Sequence, residues 1–305
     1  MRLPALLETD QIHCYGADGR PVACNGSGQD ASRSKRLSSN GRRFKTNGPT
    51  VMDILTGAVW TRDANPAEFP LSWDEAQAYV ADWRTSRMHG RDNWQLPSRR
   101  LLFSLLSHQT INPALPKDHP FENVFTGYYW TADPCSRLND QAWIVHLGGG
   151  RMPKGMMHAS YLVWPVAAPE SARKSTNRFH KGDGGIYDNA TGLIWYENAD
   201  AGKGPMRWPD ALSSIAALNQ ATGRDWRLPN IRELESLVDL KAHSPALASG
   251  HPFVNVRDAY WSSTTSIYEP SYAWTLYLKD GMVGVGYKSG NDFNLWPVRG
   301  PSKKG

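Results

Sequence analysis

The chain has 305 residues, 40% of them apolar and 21% charged, and a net charge of +5. That length allows about two domains, and no apolar run approaches the ~20 residues of a membrane helix, which excludes a helical span. The net charge is modest, so any attraction for polyanions has to come from how the charge is distributed.

Residues 1–45 read as an N-terminal extension with little periodicity. Met1–Leu7 is too short for a secretory leader, and Glu8 and Asp10 follow at once; an exported protein would have lost its leader. Tyr15-Gly16-Ala17-Asp18-Gly19-Arg20 has hairpin-turn chemistry. Cys14 and Cys24 flank it, and a local disulfide between them fits an oxidising compartment. Cys135 is left over as a buried or free thiol, and without a second cysteine pair there is no zinc pattern. Arg33, Lys35, Arg36, Arg42, Arg43 and Lys45 fall within 13 residues that hold no acid. The run reads either as a solvated connector or as a binding segment for polyanions.

Residues 46–167 then form one unit and residues 185–300 a second, joined by a Lys-, Arg-, Ser- and Gly-rich linker over 168–184. In the first unit, Thr50–Trp60 predicts a hairpin turning at Gly57, and Gly185–Trp195 predicts its equivalent turning at Gly192. Ser72 and Glu75 form a capping box, after which Trp73, Ala76, Tyr79, Val80 and Trp83 share a helix face. Trp208, Ala211, Leu212, Ile215 and Leu218 do the same in the second unit, with Pro209 in the first turn and Gly223 at the end. A short extended stretch follows, Trp94-Gln95-Leu96-Pro97 or Trp226-Arg227-Leu228-Pro229. Ser98 and Asn230 cap a second helix. The pattern then turns to period two. Strands are predicted at 128–131, 142–147 and 161–166, and at 259–262, 273–278 and 294–298, with Met282–Val285 another strand after an Asp280-Gly281 turn.

The two units are copies. Asp53, Thr56-Gly57 and Trp60 align with Asp188, Thr191-Gly192 and Trp195; His119-Pro120-Phe121 aligns with His251-Pro252-Phe253. Of 13 tryptophans, 12 fall into six aligned pairs and only Trp83 has no partner. A duplication explains this. The order hairpin, helix, helix, loop and meander gives an α+β fold made twice.

Thr191-Gly192-Leu193-Ile194-Trp195, Trp226-Arg227-Leu228-Pro229 with Glu233-Leu234, Tyr260-Trp261-Ser262-Ser263 and Pro297-Val298-Arg299 together resemble the Lcl C-terminal domain family. The resemblance covers nearly the whole chain, including the two-cysteine extension and its Gly26–Asp30 stretch. It implies a C-type-lectin-like architecture in tandem, with two helices packed on a twisted antiparallel sheet per copy. It also implies a bacterial, exported protein of the extracellular space, cell surface or periplasm, and an adhesin-like role in binding sulfated glycosaminoglycans. The first copy departs from the pattern at Gln95, Leu101 and Thr131-Ala132. Trp-Arg-Leu-Pro also resembles a stretch of formylglycine-generating-type enzymes, but that chemistry needs a cysteine pair late in the domain and no cysteine follows Cys135.

No catalytic signature appears: no Gly-x-Ser-x-Gly, phosphate loop or His-Glu-x-x-His. His119 and His251 read as structural loop residues, Arg227 with Glu233 or Glu235 as an ion pair fixing the strand-to-helix junction, and the tryptophans as core. Ligand contacts are expected in the basic run and in the last loops of each copy. The candidates are Arg33, Lys35, Arg36, Arg42, Arg43, Lys45, Arg151, Lys154, Lys279, Tyr287, Lys288, Asn291 and Asp292, with His158 beside them. Asn139-Asp140, Glu269 and Asn291-Asp292 supply oxygens but no calcium signature, so no cofactor is expected, calcium being the one alternative. These readings add up to a non-enzymatic carbohydrate-binding protein whose partner is an acidic polysaccharide or glycan. The alternative is a protein-interaction or structural subunit of an extracellular or surface-appendage assembly, binding a surface protein; a homo-oligomer stays open. Nucleic acid fits poorly, because the basic run lacks interleaved aromatics apart from Phe44.

Overall fold

The protein is described here by a computed structural model over residues 8–33, 43–167 and 178–300. Lys35, Arg36, Arg42 and most of the predicted linker lie outside the described residues. Of the described residues, 43–167 form one unit, and 178–300 form the other together with 8–33. The N-terminal segment thus belongs to the second copy, although the first copy follows it in sequence. It holds a two-stranded hairpin, β1 (Cys14–Tyr15) and β2 (Pro21–Val22), turning at Asp18-Gly19. A Cys14–Cys24 disulfide closes it, and Cys135 is a buried free thiol.

The first copy begins one strand earlier than its pattern suggests. β3 (Phe44–Asn47) pairs with β4 (Thr50–Asp53), which pairs with β5 (Val59–Thr61) across a turn where Gly57 has φ 73°. Helix α1 (Trp73–Thr85) carries the expected Ser72/Glu75 capping box. β6 (Trp94–Gln95) follows, and then α2 (Arg99–Leu105), whose Leu101 N–H is capped by Ser98. β7 (Tyr128–Pro134), β8 (Gln141–His146) and β9 (Lys154–Met156) make a three-stranded meander. β10 (Val166–Ala167) returns between β5 and β6, so the two ends of the copy meet in one five-stranded sheet.

The second copy repeats this order. β11 (Phe179–Gly182), inside the predicted linker, pairs with β12 (Gly185–Asp188), and β13 (Ile194–Trp195) pairs with β12 and with β17 (Val298–Arg299). Helix α3 (Trp208–Thr222) has proline in its first turn and Gly223 as a left-handed cap. Helix α4 (Ile231–Ser236) starts with an Asn230/Glu233 capping box. β14 (Ala259–Thr265), β15 (Tyr272–Tyr277) and β16 (Met282–Tyr287) form the second meander. β7 and β14 carry the same irregularity, between Trp130 and Pro134 and between Trp261 and Thr265.

The long final strands predicted at 161–166 and 294–298 are not continuous. Leu162 bridges Tyr129 in the meander, whereas Val166 pairs in the other sheet; Asn294 bridges Tyr260, whereas Val298 pairs with Trp195. The chain crosses from one sheet to the other at Pro165 and Pro297, which have no N–H to extend a ladder.

The paired tryptophans are core. Trp73 Nε1 donates to Thr131 O and Trp208 Nε1 to Ser262 O; Trp130 donates to Leu71 O and Trp261 to Met206 O. Each indole therefore packs on the α1 or α3 side of its meander and satisfies its polar edge there. Gly155 and Gly286 permit this packing: a Cβ on either would stand 2.5 Å from the Tyr161 ring or 2.3 Å from the Phe293 ring.

Candidate functional site

Several arginines hold the scaffold through buried carboxylates. In the first copy Arg43 donates to both oxygens of buried Asp53 at 3.1 and 2.8 Å, and to Ser104 O at 2.8 Å. In the second, Arg178 makes the same contacts with Asp188 and Ser236 O at 3.0, 2.7 and 2.7 Å. The expectation that Arg43 contacts ligand is thus corrected: it ties the first hairpin to the end of α2, and its twin does the same. Arg227 makes a two-pronged pair with Glu233, whose carboxylate also accepts from Asn230 N at 2.9 Å. That fixes the junction before α4, as the sequence predicts. His119 Nδ1 accepts from Phe121 N, and His119 and His251 each stack on the following phenylalanine. Burial holds both imidazoles below their ordinary pKa, so both belong to the loop structure.

Lys288 is a second correction. It is fully buried, not displayed. Its ammonium donates to Tyr15 O at 3.1 Å, Gly16 O at 3.3 Å and Thr265 Oγ1 at 3.0 Å, and lies 4.2 Å from the Trp208 ring centroid. Burial pushes it down to about 7. The same surface receives the rest of the N-terminal segment. Gln11 accepts from Thr265 N at 2.9 Å and donates to Thr265 O at 2.8 Å. Buried Asp30 accepts from Thr9 Oγ1 at 2.6 Å and Thr264 Oγ1 at 2.7 Å, and Thr264 Oγ1 accepts from Ile231 N at the start of α4. Burial pushes the Asp30 carboxyl up to about 6, against the pull of the two hydroxyls.

The remaining predicted contacts scatter. Arg33, Lys45, Arg151 and Lys279 are exposed. Lys154 is half-buried, 5.0 Å from the Trp143 ring centroid. Tyr287 is exposed and pairs across strands with Tyr272, ring centroids 5.5 Å apart. His158, Asn139, Asp140, Asn291 and Asp292 are exposed, and Glu269 accepts from Ser271 Oγ at 2.8 Å. Among the described residues no group of three or more His, Cys, Asp or Glu side chains is placed to hold a metal. Among the same residues no helix is long and apolar enough to cross a membrane.

A pocket of 510 Å³ opens in the first copy, and the sequence reading missed it. Its walls include Arg62, Asp63, Trp83, Met88, His89 and Glu122. One wall is a parallel bridge, in which Ala64 N donates to Glu122 O and Glu122 N donates to Arg62 O. Arg62 and Glu122 pair at 2.6 Å, and the Arg62 Nε is buried without a hydrogen-bond partner. Asp63 accepts from Asn65 N with one oxygen. The other wall follows α1. Trp83 packs against Tyr79, His89 and Trp94, each ring centroid 5.5 Å away. A single 3-10 turn, Met88–Gly90, carries His89 in left-handed backbone geometry, and Trp94 Nε1 donates to Met88 O at 2.7 Å. Burial lowers the His89 pKa and favours the neutral ring. Two sequence signals lead to this place: Trp83 is the one unpaired tryptophan, and the interval from Trp73 to Trp94 is three residues longer than that from Trp208 to Trp226.

A search of curated proteins returned no match. The model of the Lcl C-terminal domain matches twice, over residues 49–167 and 184–299, and those segments coincide with the two α+β copies of the fold. The chain therefore belongs to the Lcl C-terminal domain family, in two tandem copies.

Proposed function

We propose that this is a non-enzymatic, exported binding protein with a C-type-lectin-like scaffold, adhesin-like in use, that recognises an acidic polysaccharide or glycan such as a sulfated glycosaminoglycan. One observation carries the reading. Arg33, Lys45, Arg151 and Lys279 are exposed and form no ion pair among the described residues, whereas Arg43, Arg178, Arg227 and Arg257 are tied to buried or half-buried carboxylates. An unpaired surface cation can meet a sulfate or carboxylate without giving up an internal partner. The Cys14–Cys24 disulfide supports an oxidising, extracytoplasmic location. Two copies on one chain favour long, repetitive ligands, since a second contact adds avidity.

A glycan array read at low and high salt, with and without chelator, tests this. Sulfated or uronate-rich glycans are expected to bind at low salt, to be lost at high salt and to ignore the chelator. Binding confined to neutral glycans, or none, contradicts the reading.

A further inference from the structure

We infer that the pocket of the first copy is a separate binding site for a cationic amino sugar, a pyranose ring bearing a free ammonium group. The site goes beyond the acidic-glycan reading and does not depend on it: it uses different residues and selects the opposite charge.

The charge at the pocket decides the class. Arg62 is neutralised by Glu122 at 2.6 Å, which leaves Asp63 as the unbalanced charge in the wall. One Asp63 oxygen accepts from Asn65 N at 2.8 Å; the second has no partner among the described residues. A free anionic acceptor in the same pocket as an aromatic side chain suits a ligand ammonium, which gains from both the carboxylate and the ring. The Arg62–Glu122 pair presents flat, forked polar groups that suit hydroxyls on adjacent ring carbons. Trp83 offers an apolar surface to the C–H face of the sugar, held in place by Tyr79, His89 and Trp94. A sulfate or uronate would instead meet the unbalanced Asp63 carboxylate, and would be repelled.

The second copy shows that these residues are an addition to the scaffold. At the equivalent bridge it has Asn198 and Val254 for Asp63 and Glu122, and Glu197 for Arg62. Leu218 stands where Trp83 does, and the 3-10 turn with His89 is absent from the shorter connection between α3 and Arg227. Trp83 and Met88 also pack on the Val59, Trp94 and Ala167 core of the first copy, but the charged groups Asp63 and Glu122 have no counterpart in the second and are additions to the shared scaffold.

The test is isothermal titration of the full chain at about pH 6, below the ~8 of an ordinary α-amino group, so that the sugar amine is protonated. The probes are a glucosamine tetramer and its fully N-acetylated counterpart. The glucosamine tetramer is expected to bind one per chain and about tenfold more tightly than the acetylated one. Trp83→Leu and Asp63→Asn, each of which installs the residue of the second copy, are expected to weaken it about tenfold and to leave retention on heparin unchanged. Equal binding of the two tetramers, no binding, or unaltered affinity in both variants overturns the assignment. Loss of heparin retention in the variants would also overturn it, since the two sites would then not be separate.

Discussion

The same position is filled in two ways in the two copies. In the second, Thr264 Oγ1 accepts from the first amide of α4 and donates its own hydrogen bond to Asp30, a residue of the N-terminal segment. In the first, Asp133 stands where Thr264 does and accepts directly from Arg99 N at 2.5 Å. The neighbours diverge in step. Pro134 replaces Thr265 and has no N–H to give a glutamine such as Gln11. Met157, whose carbonyl accepts from Trp73 N as that of Lys288 accepts from Trp208 N, has no ammonium for backbone carbonyls. The second copy thus receives the N-terminal segment, while the first carries a pocket lined by Trp83 and Asp63, whose equivalents in the second copy are Leu218 and Asn198. Duplication kept the hairpin, caps and tryptophans and let the sheet ends and connections take separate roles.

The largest effect is expected where the copies agree. Asp53→Ala and Asp188→Ala each strand a half-buried arginine, and each should cost about 3–5 kcal/mol in urea unfolding. Comparable losses would show a shared scaffold element; a loss in one copy only would break the equivalence.

The next effect belongs to the second copy alone. The Asp30 carboxyl is raised from 3.8 to about 6, so its protonated form favours the folded state. That contribution is complete below the unfolded value and is lost as pH rises through about 6, a change of about 3 kcal/mol between roughly pH 4 and pH 7. Asp30→Asn should flatten this window in a stability profile, and an unchanged slope would remove Asp30 from the account. Lys288→Met, which installs the residue of the first copy, leaves the Tyr15 and Gly16 carbonyls without their donor. It should loosen the segment by about 1–2 kcal/mol, read as faster amide exchange over residues 9–30 with little change in the first copy.

Local signals made most of the scaffold readable. The Ser72/Glu75 box, Pro209, Gly57 and Gly192 act within a few residues, and the twelve paired tryptophans repeat in both copies. β3 and β11 were missed because Phe44–Asn47 and Phe179–Gly182 lie in basic, polar surroundings that read as connector. The partners of Asp30 and Gln11 could not be read, because Thr264 and Thr265 lie 234 and 254 positions away along the chain. Lys288 looked like a loop cation for the same reason: the carbonyls it serves are at the other end of the chain. Trp83 was visible as the odd tryptophan, but only the folded connection brings Asp63 and Glu122 to it.

The smallest structural effect should accompany the largest functional one. Reversing Arg33, Lys45, Arg151 and Lys279 to glutamate should change stability by less than about 0.5 kcal/mol per site, because none makes a side-chain hydrogen bond or ion pair among the described residues. Elution of this variant from heparin along a salt gradient is the most direct test of the claim that the exposed cations bind an acidic glycan. The account predicts elution at clearly lower salt than the unaltered protein, with an unchanged Tm; elution at the same salt would contradict it.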